Sequence, residues 1–226
     1  MIDVAKQWNP KQALLNEIIR RYDRFHEAID LCLEMHRLVH TSEMSDCSFS
    51  TLEDQLWEGL EESTMRIMPT EKDVTIVWNL WHLSRIEDLV SNILIANDKQ
   101  VIYQDNWLEK LEIDICNTGN VMTDDEIISF SNTINIMALR NYRIKVGKKT
   151  QEVIKNMGIE ELKMKVKPER INRIYSEGGV VEGSKGLLDF WGKKDIAGLL
   201  LMPITRHQIV HLNDSFKLKR KLCGRK

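Results

Sequence analysis

Apolar residues recur along much of this chain in alternating three- and four-residue steps, the spacing of one face of an α-helix. The first series runs through Leu15, Ile18, Tyr22, Phe25, Ile29 and Cys32. Asn9 followed by Pro10 has the form of an N-cap with proline in the first turn, so we predict one long helix from there to about Val39 or His40. Only four prolines and eleven glycines among 226 residues leave few positions that would interrupt such helices.

The second and third long helices are predicted from the same periodicity and from their end signals. The second opens at Pro69 and Thr70 and stops near Ala96. The third begins at a capping box in which Thr123 and Glu126 satisfy each other's free amides, and it ends near Met157. Its apolar face is predicted to contain Ile127, Phe130, Ile134, Met137 and Tyr142.

The fourth long helix is predicted from the stretch that begins DFWGKKDIAG, and Pro203 should bend it. Shorter helices are expected from Thr51 to about Glu62, in WLEKLEI and in KVKPERINRIYSEGG. No stretch shows the alternation of a β-strand. The prediction is therefore an all-α protein, a four-helix bundle with additional short helices in its connections, in which residues 1–226 form a single domain.

Composition and charge exclude several classes of protein. The net charge of -2 does not suit a chain that binds nucleic acid through overall charge. The basic tail KLKRKLCGRK lacks interleaved aromatic residues, so we interpret it as a solvated helix end. No apolar run reaches the ~18 residues of a membrane span, and the N-terminus lacks the pattern of a signal peptide. Four scattered cysteines favour a reducing cytoplasm.

Three histidines occupy positions of predicted helices where apolar residues are expected. His82 follows Trp78 in the stripe of the second helix, and His207 and His211 lie one turn apart in the fourth. A buried imidazole without a partner costs about 1–3 kcal/mol. A divalent metal would satisfy all three rings and leave one position open. Core histidines with ordinary hydrogen-bond partners are the alternative.

A second pair with the same spacing, His36 and His40, lies at the end of the first predicted helix. By spacing alone it is a rival metal-binding pair, and either residue could line the mouth of the same pocket. Histidine pairs four residues apart also occur by chance, so the spacing does not decide between these readings.

Three segments give the chain a resemblance to a known family: VWNLWHLSRIEDL, MTDDEIISFSNTINIMALRNYR and VVEGSKGLLDFWGKKDIAGLLLMPITRHQIVHLND. They resemble the DinB/YfiT-like superfamily, which is named after DNA-damage-inducible proteins. The resemblance implies a four-helix bundle with a divalent-metal site of three histidines, one in the second helix and two in the last. His82, His207 and His211 stand at the matching positions.

For activity, the resemblance implies a metal-dependent enzyme of an uncharacterised branch. The reaction would be a low-molecular-weight-thiol-dependent S-transfer or a hydrolysis, with the small-molecule substrate unknown. A non-catalytic metal- or ligand-binding bundle in a stress response is the alternative. Zinc or nickel is the expected metal, and a homodimer is possible on this reading.

Polar groups beside the metal ligands are needed to orient their rings. Asp214, three residues beyond His211, is the first candidate for this role, and Glu87 is the second. Arg85, three residues after His82, is predicted either to face an anionic substrate or to be a surface or salt-bridged arginine. The sequence identifies no catalytic residue.

Overall fold

The protein folds as an all-α chain in the computed structural model, which describes residues 4–224. Residues 1–3, at the start of the predicted domain, and 225–226, at the end of the basic tail, lie outside the described residues. The α-helices, in chain order α1 to α13, are Val4–Ile18, Phe25–Leu38, Ser42–Ser45, Leu52–Trp57, Glu62–Met65, Ile76–Asp88, Trp107–Leu111, Asp124–Thr133, Ile136–Lys155, Pro168–Ser176, Gly186–Gly192, Ile196–Leu199 and His207–Cys223.

The first predicted helix is two helices, so the prediction of one continuous element was wrong. The chain turns after α1, and α2 packs back against it. Lys11 of α1 pairs with Glu34 of α2, which shows that the two run in opposite directions. Each helix buries its own stripe, whereas Tyr22 at the turn is 46% exposed. The three-and-four spacing therefore continued by chance through the turn. Pro10 lies inside α1 rather than at its start.

The second long helix begins later than predicted. Thr75 is its N-cap, with its hydroxyl accepting from the amide of Trp78 at 2.9 Å, so the start at Pro69 was wrong. Its predicted end is confirmed, because α6 continues as a π-helix over Leu89–Ile95 and stops at Ala96. All of α6 is buried, which places this helix at the centre of the molecule.

The third predicted helix is also divided. The capping box of Thr123 and Glu126 is confirmed at the start of α8. The helix then breaks at Ile134, which is extended, and Asn135 caps α9 by accepting from the amide of Ala138 at 3.0 Å. Because α9 starts in a new direction after the break, its buried face does not continue the apolar face of α8. Met137, predicted to lie on that apolar face, is therefore 49% exposed.

The fourth predicted helix begins at Ile196 with Asp195 as its cap, and the preceding DFWG stretch belongs to the separate helix α11. Between α12 and α13 the chain forms a π-helix over Leu200–Arg206 that contains Pro203. The proline thus coincides with a change of helical register. The Thr205 hydroxyl donates to the carbonyls of Leu200 and Leu201 at 2.9 Å, which satisfies backbone groups inside this irregular turn.

The predicted short helices are present. Thr51 forms its capping box with Asp54, but α4 ends at Trp57 rather than near Glu62. WLEKLEI contains α7, and KVKPERINRIYSEGG contains α10, whose end is followed by Gly178 at φ +72°.

Packing places α6 between α9 and α13, and α2 lies against α9 and the π-helix that precedes α13. The two π-helices also contact each other. Over residues 4–224, no helix is both long and apolar enough to cross a membrane. The central position of α6 matters for function because its side chains meet residues of both α2 and α13.

Candidate metal centre

The structure brings His82, His207 and His211 together between α6 and α13. Their ring centroids lie 5.1 Å (His82–His207), 4.8 Å (His82–His211) and 4.6 Å (His207–His211) apart. The Nε2 atoms of His82 and His207 are 3.2 Å apart. One ring nitrogen from each of the three residues lies within 4.8 Å of the others. The histidine pair predicted from its four-residue spacing on α13 and the histidine in the apolar stripe of α6 therefore lie in one cluster.

Hydrogen bonds at Nδ1 fix the orientation of two of these rings. His82 Nδ1 donates to the carbonyl of Thr118 at 2.8 Å, and His211 Nδ1 donates to Oδ1 of Asn79 at 2.9 Å. In a neutral imidazole this leaves Nε2 without a hydrogen, with its lone pair directed into the cluster. This is the arrangement in which a metal-binding histidine is held by a second partner.

Trp78 holds His82 from one face. The two rings are stacked, with centroids 4.8 Å apart and planes 6° apart. The indole Nε1 donates to the carbonyl of Gly119 at 3.3 Å, which ties the Thr118 loop to α6. Gly119 has φ +75°, and a Cβ on it would lie 2.8 Å from that same Nε1. A glycine is therefore required where the loop approaches the ring stack.

His207 has an unsatisfied ring nitrogen. Its Nδ1 is buried and has no hydrogen-bond partner within the described part of the chain. A neutral imidazole has one donor and one acceptor, so one polar group of this ring stays unmatched whichever nitrogen holds the hydrogen. The third ring is thus placed by packing and by its neighbours.

All three imidazoles favour the neutral form. Burial is the main cause and lowers the pKa of His82 to about 4, with a further decrease from His211, against the Thr118 bond that raises it. Burial, and then His82, His211 and Arg143, lowers the pKa of His207 to about 2. Burial lowers the pKa of His211 as well, although Asp214 opposes this. Neutral rings are the form that binds a metal ion.

One separation between ring nitrogens in the cluster matches that expected for two ligands of a tetrahedral ion. Two imidazole nitrogens bound at about 2.0–2.1 Å with a tetrahedral angle between them lie about 3.3–3.4 Å apart. The separation of 3.2 Å between the Nε2 atoms of His82 and His207 is close to this value. Zinc, nickel, iron and copper all accept imidazole nitrogen, so the residues fit a divalent ion without selecting one.

A cavity of about 410 Å³ opens beside His211. Trp78 and Asn79 form its inner wall, and Asp214 and Lys217 lie at its rim. The Nδ2 atom of Asn79 is buried and has no partner among residues 4–224. The cavity therefore reaches one ring of the cluster, with an unused amide donor next to it.

The three residues proposed from sequence to support the ligands are placed differently. Asp214 acts on His211 by charge, but its hydrogen bond goes to Lys217 at 2.8 Å. Arg85 is salt-bridged, as one of the two predictions had it, and is completely buried: it bonds Asp88 and Tyr142 at 2.8 and 2.7 Å. Glu87 belongs to a second cluster.

That second cluster contains the rival histidine pair. His36 and His40 of α2 lie against Glu87 of α6, and all three are completely buried. The Nε2 atoms of His36 and His40 lie 2.7 and 2.9 Å from the two carboxylate oxygens. Gln208, the residue after His207, donates to the same carboxylate at 3.1 Å. Because both rings are sealed from solvent, neither lines the mouth of a pocket.

Sequence reasoning missed the two groups that orient the rings. Asn79 lies three residues before His82 on the same helix, and this spacing could have indicated it. The Thr118 partner is a backbone carbonyl in a connection, for which no side-chain pattern exists.

No family profile matches the chain, and no curated protein matches it. A solved structure described as that of the conserved protein of locus from Enterococcus faecalis is similar in fold, with a TM-score of 0.59 and 16% sequence identity over 86% of this chain and 96% of that chain. At this identity the likeness concerns the fold alone. It shows an all-α architecture shared with a conserved bacterial protein.

Proposed function

We propose that this chain is a single-domain four-helix bundle of the DinB/YfiT type and that His82, His207 and His211 bind a divalent metal ion, zinc or nickel. The observation that carries the proposal is the pair of hydrogen bonds at Nδ1 of His82 and His211, which leaves two Nε2 lone pairs directed into one cluster. The order of the three matching sequence segments adds support.

We further propose that the protein is a metal-dependent enzyme acting on a small molecule. A divalent ion with an open position lowers the pKa of a bound water or thiol, or polarises a substrate oxygen. The carbonyl of Thr118 orients the His82 ring, and the side chain of Asn79 orients the His211 ring. Trp78 excludes water from one face of His82. The cavity beside His211 receives the substrate. An S-transfer that uses a low-molecular-weight thiol and a hydrolysis are the two reactions we favour.

A non-catalytic bundle that binds a metal or ligand in a stress response is the second candidate. The burial of His82, which is 3% exposed, favours it, because a buried ligand leaves less room for substrate at that ring. Assays with a low-molecular-weight thiol and electrophilic acceptors separate the two candidates. We place the protein in the cytoplasm because its four cysteines are unpaired, whereas a homodimer stays a prediction.

Elemental analysis of the purified protein tests the metal site. The double variant His207→Ala/His211→Ala should lose one metal equivalent per chain, because two of the three ligands are removed. The matched control is His26→Ala, which removes an exposed histidine outside the cluster and should lose none. Full retention of metal in the double variant would defeat the proposed site.

A further inference from the structure

The cluster of His36, His40 and Glu87 repeats the layout of the first cluster at another position along α6. In both, two histidines one turn apart on an outer helix face a third residue of α6. The rings of His36 and His40 have centroids 4.4 Å apart, compared with 4.6 Å for His207 and His211. In the second cluster, the third residue is a carboxylate that meets both rings.

Charge gives the first argument for a cation in this second cluster. Burial raises the pKa of Glu87, but the charges and hydrogen bonds of His40 and His36 hold it well below its usual range. Arg143 pairs with Glu53 at 2.7 Å and is linked to Glu87 through Gln208. Apart from the two imidazoles, this buried group contains two carboxylates and one guanidinium, which together carry a net charge of -1.

Such a negative charge is expensive inside a protein, because no water is present to solvate it. A cation between the carboxylate and the two rings would interact directly with the buried charge of Glu87 and stabilise it. The side chains that converge there offer two imidazole nitrogens and two carboxylate oxygens, which first-row divalent metals accept.

Distances give the second argument. Two ligand atoms bound at about 2.0–2.1 Å with a right angle between them lie about 2.8–3.0 Å apart. The Nε2–oxygen separations of 2.7 and 2.9 Å, for His36 and His40 with Glu87, lie at or close to this range. The cluster thus suits ligands placed at right angles, whereas the first cluster has the wider tetrahedral spacing.

The surroundings hold these rings in place. A Cβ on Gly147 of α9 would lie 2.9 Å from Nδ1 of His40 and 2.7 Å from Met44. The close approach of α9 therefore fixes the His40 ring with Nε2 towards Glu87. Gln208 donates to the carboxylate and also to the carbonyl of Leu83, at 3.4 Å, so α13 closes the remaining side.

We propose that His36, His40 and Glu87 form a second divalent-metal site, closed to solvent, that joins α2 to α6. Its two rings bind through Nε2 and Glu87 binds through both oxygens. Because all three residues are completely buried, the site has a structural role, and its ion enters as the chain folds. This site does not depend on the proposed function of the first cluster.

Zinc counting on protein expressed in zinc-supplemented medium tests this site. The unaltered chain should carry two zinc ions, and His207→Ala/His211→Ala should keep one of them. Dialysis against a chelator should leave that remaining ion bound until denaturant unfolds the chain. Adding Glu87→Gln, which keeps the side-chain shape, should remove it, whereas adding Asp214→Asn as the control should not.

The outcomes separate the two sites. If the unaltered chain holds one zinc and His207→Ala/His211→Ala holds none, the second site is overturned and the first stands. If that variant keeps all its zinc and Glu87→Gln releases an ion, the first is overturned and the second stands. Should Glu87→Gln fail to fold, X-ray absorption on the folded His207→Ala/His211→Ala variant decides, since the second site requires two imidazoles and a carboxylate on its zinc. A different ligand set overturns it.

Discussion

The two histidine clusters differ in what α6 contributes to each. At residue 82 it supplies a third imidazole, and a cavity of about 410 Å³ reaches the neighbouring His211. At residue 87 it supplies a carboxylate in a completely buried setting. We call His82, His207 and His211 the accessible cluster, and His36, His40 and Glu87 the sealed cluster. The same spacing of a histidine pair thus occurs in both.

The comparison teaches that histidine spacing identifies the geometry of a pair but does not identify its use. The hydrogen-bond partners identify the use. In the accessible cluster, Thr118 and Asn79 take the Nδ1 hydrogens and leave Nε2 lone pairs unused. In the sealed cluster, Glu87 faces the Nε2 atoms themselves, so its charge dominates the energetics.

The largest expected effect comes from removing the charge of the sealed cluster. Glu87→Gln leaves two buried rings and Gln208 sharing one amide oxygen, so we expect the free energy of unfolding to fall by about 3–5 kcal/mol. Urea denaturation at pH 7 measures it. Asp214→Asn, which alters a rim carboxylate of the accessible cluster, is the control and should change the value by less than about 0.5 kcal/mol.

Equal, small losses in the two variants would mean that Glu87 is no more important to stability than a surface carboxylate. The contrast between the clusters would then have no energetic basis.

The pH dependence of stability comes next in size. His40, His82 and His207 have folded-state pKa values of about 3, 4 and 2, below the value of about 6.5 expected in the unfolded chain. The unfolded chain therefore binds more protons as pH falls below about 6.5, and stability is lost in that direction. Between pH 7 and pH 5.5 each ring should contribute a loss of about 1.2 kcal/mol, or about 3–4 kcal/mol in all.

Urea denaturation of the metal-free chain at several values of pH in this window measures the loss, and His26→Gln provides the control slope. His82→Gln should reduce the slope through the accessible cluster alone. A free energy of unfolding that does not vary with pH would contradict the burial of neutral imidazoles in both clusters.

Sequence reasoning predicted the helical class, the capping box at Thr123, the start of a short helix at Thr51, and the three residues that meet in the accessible cluster. It failed at the breaks after Ile18 and at Ile134, because an apolar stripe can continue through a turn when each helix buries its own half. The extended backbone of Ile134 and the cap at Asn135 depend on what packs beside them.

Sequence reasoning also found only part of the sealed cluster, because its third member depends on tertiary packing. Spacing identified the His36/His40 pair, but Glu87 was predicted to orient the ligands of the accessible cluster; it lies five residues from His82 on the same helix. Five residues on an α-helix amount to well over one turn, so the two side chains leave α6 in different directions. Which neighbour each direction meets is decided by tertiary packing.

The smallest of these effects concerns the orientation of one ligand in the accessible cluster. Asn79→Ala removes the acceptor for His211 Nδ1, so that ring loses its fixed orientation, and zinc affinity should fall about 10–100-fold. Chelator competition measures the affinity. Asn79→Asp keeps an acceptor and should restore most of it, while Asn92→Ala, a buried asparagine farther along the same helical segment that donates to Asp88, should leave zinc affinity unchanged. If Asn79→Ala and Asn92→Ala weaken zinc binding equally, the loss reflects general destabilisation, and Asn79 has no part in aligning the His211 ring.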